Sequence, residues 1–288
     1  MLQSEVELQP PVREVRVPAS DDVSLYVRVA GQDKTGAALI TIHGGPGMSS
    51  RYMLSLEQLA GPDLTVVSWD QRGADQSTSP PDESAYYTLP KYAEDLDSVR
   101  QAVGADKVHL LGHSWGGIVA LQYAILYPDN VQSLILVNGG PPSWEGLLRA
   151  QAILSMRMQA LRQEGIMSDE TPQSTAEAMK VILPAYFSDP SFRFPPNDLE
   201  GVINLSPVAN QLTYGQLEGF DLAPDLAGLT QRVLILRGAD DPFGNAMIDA
   251  TRKALVNAAV KVIELPDCGH YWQECPDEFF KQMRAFLQ

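Results

Sequence analysis

Val108-His109-Leu110-Leu111-Gly112-His113-Ser114-Trp115-Gly116-Gly117 is the stretch on which the fold turns. A short apolar run leads into a G-x-S-x-G pattern, and apolar residues at helical spacing follow from Trp115 to Tyr127. A serine at such a strand-to-helix turn sits on a strained backbone with its hydroxyl above the sheet edge. The glycines on either side let the chain pass closely, and the helix behind offers its positive end to the same spot. Serine at its free pKa is a poor nucleophile, so the pattern needs a base and an orienting acid supplied from elsewhere.

Working outward, Ala38–Ile42, Leu64–Ser68, Val131–Val137, Val233–Leu236 and Val260–Leu265 repeat the short, nearly continuous apolar run. Runs of this kind read as strands buried on both faces. Helical spacing in Leu89–Val103 and from about Asn245 to Asn257 separates them. Asp277–Leu287 closes the chain as an amphipathic helix, with Phe279, Phe280, Met283, Phe286 and Leu287 on one stripe. Alternation of strand and helix implies right-handed crossovers and a mostly parallel sheet covered on both faces. Glu14–Pro18 and Val23–Ala30 alternate in polarity and read as an antiparallel edge. The rhythm stops at Gly139-Gly140-Pro141-Pro142, and to about Asp221 the sequence is helix-like, Met-rich and broken by Pro184, Pro190, Pro195 and Pro196. The expected organisation is an α/β core over 1–140 and 222–288, with a helical insertion over 141–221.

Composition narrows the function classes. At 288 residues with 44% hydrophobic and 20% charged, the chain is globular, and about three quarters of its extended surface can be buried. Twenty-one basic against 36 acidic residues leave a net charge of −15, which repels phosphate backbones and anionic membranes. A nucleic-acid or membrane partner is therefore not expected. No apolar run approaches a membrane span, and Met1–Pro10 lacks the pattern of a secretory signal, so a cytoplasmic placement is expected. Cys268 and Cys275 are too few for a zinc site and are expected as two reduced thiols, a bridge across His270 being the alternative. Neither a Walker loop, a dinucleotide fingerprint nor H-E-x-x-H occurs, so no cofactor or metal is expected. Oligomeric state leaves no mark in the sequence.

The base is found by elimination among four histidines. His109 lies inside a predicted strand, His113 abuts the serine, and His43 precedes it, whereas this elbow takes its partners in the order serine, acid, histidine. His270, just past the last strand, remains. The acid belongs after Val233–Leu236, where Asp240 and Asp241 both occur; G-x-x-D favours Asp241, with Asp240 as the alternative. Oxyanion donors are expected from the backbone amides of Gly45, in His43-Gly44-Gly45-Pro46-Gly47, and of Trp115. Gly44 is the substitute donor, and Tyr271 and Trp272 are candidate substrate contacts. Glu274 reads as loop or helix-start structure. Leu154, Met156, Met158, Leu161, Met167 and Met179 suggest an adaptable apolar underside to the insertion.

His43-Gly44-Gly45-Pro46-Gly47, Asp70-Gln71-Arg72-Gly73, Gly112-His113-Ser114-Trp115-Gly116-Gly117, Gly238-Ala239-Asp240-Asp241 and Gly269-His270 together resemble the α/β-hydrolase superfamily. Within it the chain is similar to the proline iminopeptidase family of serine aminopeptidases, over nearly its whole length. The resemblance implies a cap inserted after the strand ending near Val137 and cleavage of small peptides or amides through an acyl-enzyme. Two departures stand out: Asp75 where the pattern has glycine, and Pro242 where some relatives carry a glutamate after the acid. Such peptidases hold a free α-ammonium with glutamates, and Glu145, Glu164, Glu170, Glu177, Glu200 and Glu218 are available in the insertion. The alternative is a carboxylesterase or lactonase using the same three side chains on a small ester.

Overall fold

Alternation along the central strands shows how the sheet is buried. Leu134 and Leu136 face one apolar core, and Ile135 and Val137 face the other. The computed structural model describes residues 10–31 and 37–288. Eight strands form one sheet: β1 (Val12–Pro18), β2 (Ser24–Ala30), β3 (Ala37–Ile42), β4 (Leu64–Trp69), β5 (Val108–His113), β6 (Val131–Val137), β7 (Arg232–Gly238) and β8 (Ala259–Leu265). Their order is β1-β2-β4-β3-β5-β6-β7-β8. The β1–β2 and β2–β4 pairs are antiparallel, and every other pair is parallel.

Helices α1 (Leu89–Ala102) and α2 (Trp115–Leu126) cover the first face through Tyr92, Leu96, Val119 and Tyr123. The chain from Gly139 onward is helical, with no strand before β7 among the described residues. It comprises α3 (Trp144–Gln163), α4 (Thr175–Ile182), α5 (Pro196–Ile203), α6 (Pro207–Tyr214) and the short α7 (Ala223–Leu226). Serine caps start three of these helices: Ser143, Ser174 and Ser206 each accept an amide from the first turn. Then come α8 (Asn245–Ala254) and α9 (Pro276–Leu287). Phe279, Phe280 and Met283 of α9 bury against the second face.

The insertion leaves and returns through a narrow neck. Trp144 N donates to Phe220 O and Leu222 N to Pro142 O, both at 2.8 Å. It seats on the loop after β3, where Ser206 N donates to Gly47 O at 2.8 Å and Asn210 Nδ2 to Pro46 O at 2.9 Å. The chain moves outward from β3 to β4 and then returns past β3 to β5, so the loops after β3 and β5 part at a switch point where such sheets bind ligands. Among the described residues, no helix is long and apolar enough to cross a membrane.

Candidate active site

Strand register levels the loops that carry the motifs. Gly112 pairs with Ile42 on one side and Leu136 on the other, Val137 with Leu236, and Gly238 with Leu265. His43, Ser114, Asn138, Asp241 and His270 therefore emerge along one rim. Ser114 has φ 55° and ψ −122°, a conformation costly for any residue but glycine. Its amide donates to Val137 O at 3.1 Å, and its carbonyl accepts the amides of Gly140 and Gly117 at 2.8 and 2.9 Å. A Cβ at Gly116 would fall 2.1 Å from Ile42 O, so only glycine lets the elbow lie this close to the end of β3.

His270 is buried and donates Nδ1–H to Asp241 Oδ1 at 3.1 Å. A carboxylate can only accept, so Nε2 is left bare as the basic nitrogen. The ring is held between Phe243 and Tyr186, with centroids at 4.8 and 5.3 Å. Asp240 turns the other way and accepts the Ser188 hydroxyl at 2.6 Å. The remaining histidines are engaged elsewhere: His109 is half-buried against the Ser133 hydroxyl, and His43 accepts the Gln71 amide at Nε2. Burial pushes the His43 pKa down to about 4.

A cavity of about 90 Å³ opens beside the elbow, and Ser114, Gly45 and Trp115 lie in its wall. Ser114 is half-buried, and among the described residues its hydroxyl has no hydrogen-bond partner. Serine–imidazole contacts are often loose in unliganded enzymes and tighten in the complex. The amides of Gly45 and Trp115 donate to no acceptor among the described residues, Trp115 being the first residue of α2. Gly44 sits differently, because its amide donates to the Tyr52 hydroxyl at 2.6 Å and it does not reach the cavity wall. Tyr271 and Trp272 are buried behind the rim, against Phe194 and Phe279, rather than in the wall. Leu147, Ala150, Gln151 and Leu154 of α3 roof the cavity, and Tyr214 of α6 closes it. Of the apolar residues expected on the underside of the insertion, Leu154 reaches the cavity while Met156 is 63% exposed.

The expectation of reduced thiols is corrected: Cys268 and Cys275 form a disulfide. Sequence separation of seven residues brings them together because the chain between them folds as a tight loop and a 3₁₀ turn at Trp272–Glu274. Several residues around the site were given no role from the sequence. Asn138 donates to the His270 carbonyl at 2.8 Å and accepts the Gly238 amide at 2.9 Å. Its place directly after β6 was the available clue. Gln71 links the Trp115 indole and the His43 carbonyl, at 2.9 and 2.8 Å. Asp75, the departure from the pattern, accepts Ser49 Oγ, Arg51 Nε and Asn204 Nδ2, which fastens the insertion to the loop after β3. Among the described residues, no group of three or more His, Cys, Asp or Glu side chains is placed to hold a metal ion.

A family model for the alpha/beta hydrolase fold matches residues 37–274. Proline iminopeptidase of Lactobacillus delbrueckii subsp. lactis is 30% identical over 263 residues, which is 85% of this chain and 87% of that protein. The crystal structure of proline iminopeptidase from Mycobacterium smegmatis superposes with a TM-score of 0.75 at 23% identity, over 96% of this chain and 97% of that one. An esterase from Exiguobacterium antarcticum gives 0.73 at 20% identity, over 96% and 99%. At these identities the structural likeness is one of fold.

Proposed function

This chain belongs to the α/β-hydrolase family, among its proline iminopeptidase-like members, and on that premise we propose a serine hydrolase that works through an acyl-enzyme. The observation that supports it most is the buried Asp241–His270 pair at 3.1 Å, on the same rim as an elbow serine that opens into a cavity. In this proposal Ser114 Oγ attacks the carbonyl carbon while its proton passes to His270 Nε2. Asp241 holds the imidazole in its Nδ1–H tautomer and stabilises the cation without taking the proton. The Gly45 and Trp115 amides receive the oxyanion, His270 returns the proton to the departing amine or alcohol, and water then releases the acyl group by the same route. Ser114→Ala should lower kcat by on the order of 10⁴ or more on any substrate cleaved, and a fluorophosphonate should label wild-type Ser114. Wild-type turnover by the alanine variant would reject the assignment.

The two substrate classes draw on different observations. Kinship with proline iminopeptidases supports removal of an N-terminal residue from small peptides or amides. The cavity supports the second class, a small ester or lactone with an uncharged acyl group: no Asp or Glu lies in its wall among the described residues. An ammonium placed there would lose its water and gain no counter-charge. The 4-nitrophenyl esters of L-proline and of cyclopentanecarboxylic acid share ring size and leaving group and differ in that charge. We expect the uncharged ester to be favoured at least tenfold in kcat/KM, and preference for the prolyl ester would decide for the aminopeptidase.

A further inference from the structure

We propose that Tyr52 and His113 form a positioning bridge that locks the loop carrying Gly45 and the loop carrying His270 in one fixed relation. Gly44 N–H donates to the Tyr52 hydroxyl at 2.6 Å, that hydroxyl lies 2.8 Å from His113 Nδ1, and His113 Nε2 lies 2.9 Å from the His270 carbonyl. Each direction along this chain is forced. A carbonyl only accepts, so Nε2 carries the proton; a neutral imidazole then presents a bare Nδ1, to which the Tyr52 O–H must donate. The Tyr52 oxygen is thereby free to accept Gly44 N–H. Tyr52 and His113 are essentially inaccessible to water, at 0% and 1% exposure, and neither lines the cavity. Burial, with the nearby His270 adding to it, holds the His113 pKa well below its usual value and keeps the ring neutral.

The bridge has two consequences for the site, and its catalytic meaning rests on the serine-hydrolase proposal. At one end it turns the Gly44 amide away and leaves that of Gly45 in the cavity wall. At the other it occupies the His270 carbonyl, whose second donor is Asn138 Nδ2, while the His270 amide donates to Tyr186 O at 2.7 Å. The backbone of the base is thus held on both sides. Removing the Tyr52 oxygen leaves the Gly44 amide and His113 Nδ1 buried without partners, and both loops are free to shift.

Tyr52→Phe keeps the ring and its contacts with His113, Tyr271 and Trp272. It should lower kcat by about 10- to 100-fold, the cost of misplacing reacting groups by about an ångström, and slow fluorophosphonate labelling of Ser114 in parallel. KM should move less than about twofold. His113→Gln, which retains an acceptor and a donor, should keep more of kcat than His113→Leu, with both variants folded by circular dichroism. Wild-type kcat in Tyr52→Phe, or equal kcat in the two His113 variants, would overturn the bridge. Ser114→Ala separates this failure from that of the proposed function: an inactive Ser114→Ala beside an unimpaired Tyr52→Phe rejects the bridge alone.

Discussion

His43 is fully buried after β3, its Nδ1–H on the Gly44 carbonyl at 2.8 Å and its Nε2 accepting the Gln71 amide at 3.0 Å. Desolvation brings its pKa from 6.5 down to about 4, against a smaller opposing effect of the Gly44 carbonyl. Between about pH 4 and 6.5 the unfolded chain binds a proton that the folded chain refuses, so this residue lowers stability as pH falls through that window. His43→Gln keeps a donor and an acceptor without the titration. Its denaturation midpoint should therefore vary less with pH between 6.5 and 4 than that of the wild type. Equal slopes would show that the folded protein takes up the proton. At this scale the expectations for Ser114 and His270 rested on motifs at the ends of strands, and both residues lie just past such ends, after β5 and β8. The sequence favoured Asp241 over Asp240 on the G-x-x-D spacing, with Asp240 kept as the alternative because two adjacent carboxylates differ only in the direction each faces. Tyr52 was invisible to it, since nothing in the local pattern around a tyrosine points to the imidazole it meets 61 residues later.

The element that holds His270 is the loop from Cys268 to Cys275, closed by its disulfide and tied to the insertion. Glu274 accepts three backbone amides there: Gly269 at 2.8 Å, Ser188 at 3.1 Å and Asp189 at 3.2 Å. Two of them belong to the insertion and one precedes His270, so a single carboxylate clamps both segments. Glu274→Gln turns one acceptor oxygen into a donor facing amides, and we expect a loss of roughly 2 kcal/mol in stability with a drop in kcat. An unchanged melting temperature and kcat would show that the clamp bears no strain. Helices and strands were legible because their apolar periods are local: β6 runs over Val131–Val137, the range its pattern predicts, and α2 ends one residue before the predicted end. The 3₁₀ segment Ser50–Leu59 was not read, although its buried Tyr52, Met53 and Leu56 stand at i, i+1 and i+4, the spacing of one helical face. The expectation for the cysteines came from the compartment argument, and the loop's path overruled it.

Over the whole molecule, one sheet carries Asp241 and His270, 127 and 156 residues away from Ser114, on the same rim as that serine, and the helical insertion roofs the cavity that Ser114 lines. The neck at Pro142–Ser143 and Asp221–Leu222 hands the chain back beside its point of departure, so the core keeps its strand order despite the excursion. Sequence alone was enough for the α/β class and for the strand and helix order of the sheet, because apolar period and glycine at tight turns are written within a few residues of one another. Only the folded chain decides which aspartate faces His270, that the two cysteines join, that Gly44 gives its amide to Tyr52, and that the cavity wall carries no acidic side chain among the described residues. These outcomes depend on where distant segments meet and on which way a side chain or amide points when they do. No local pattern encodes that direction; packing of the two faces of the sheet does.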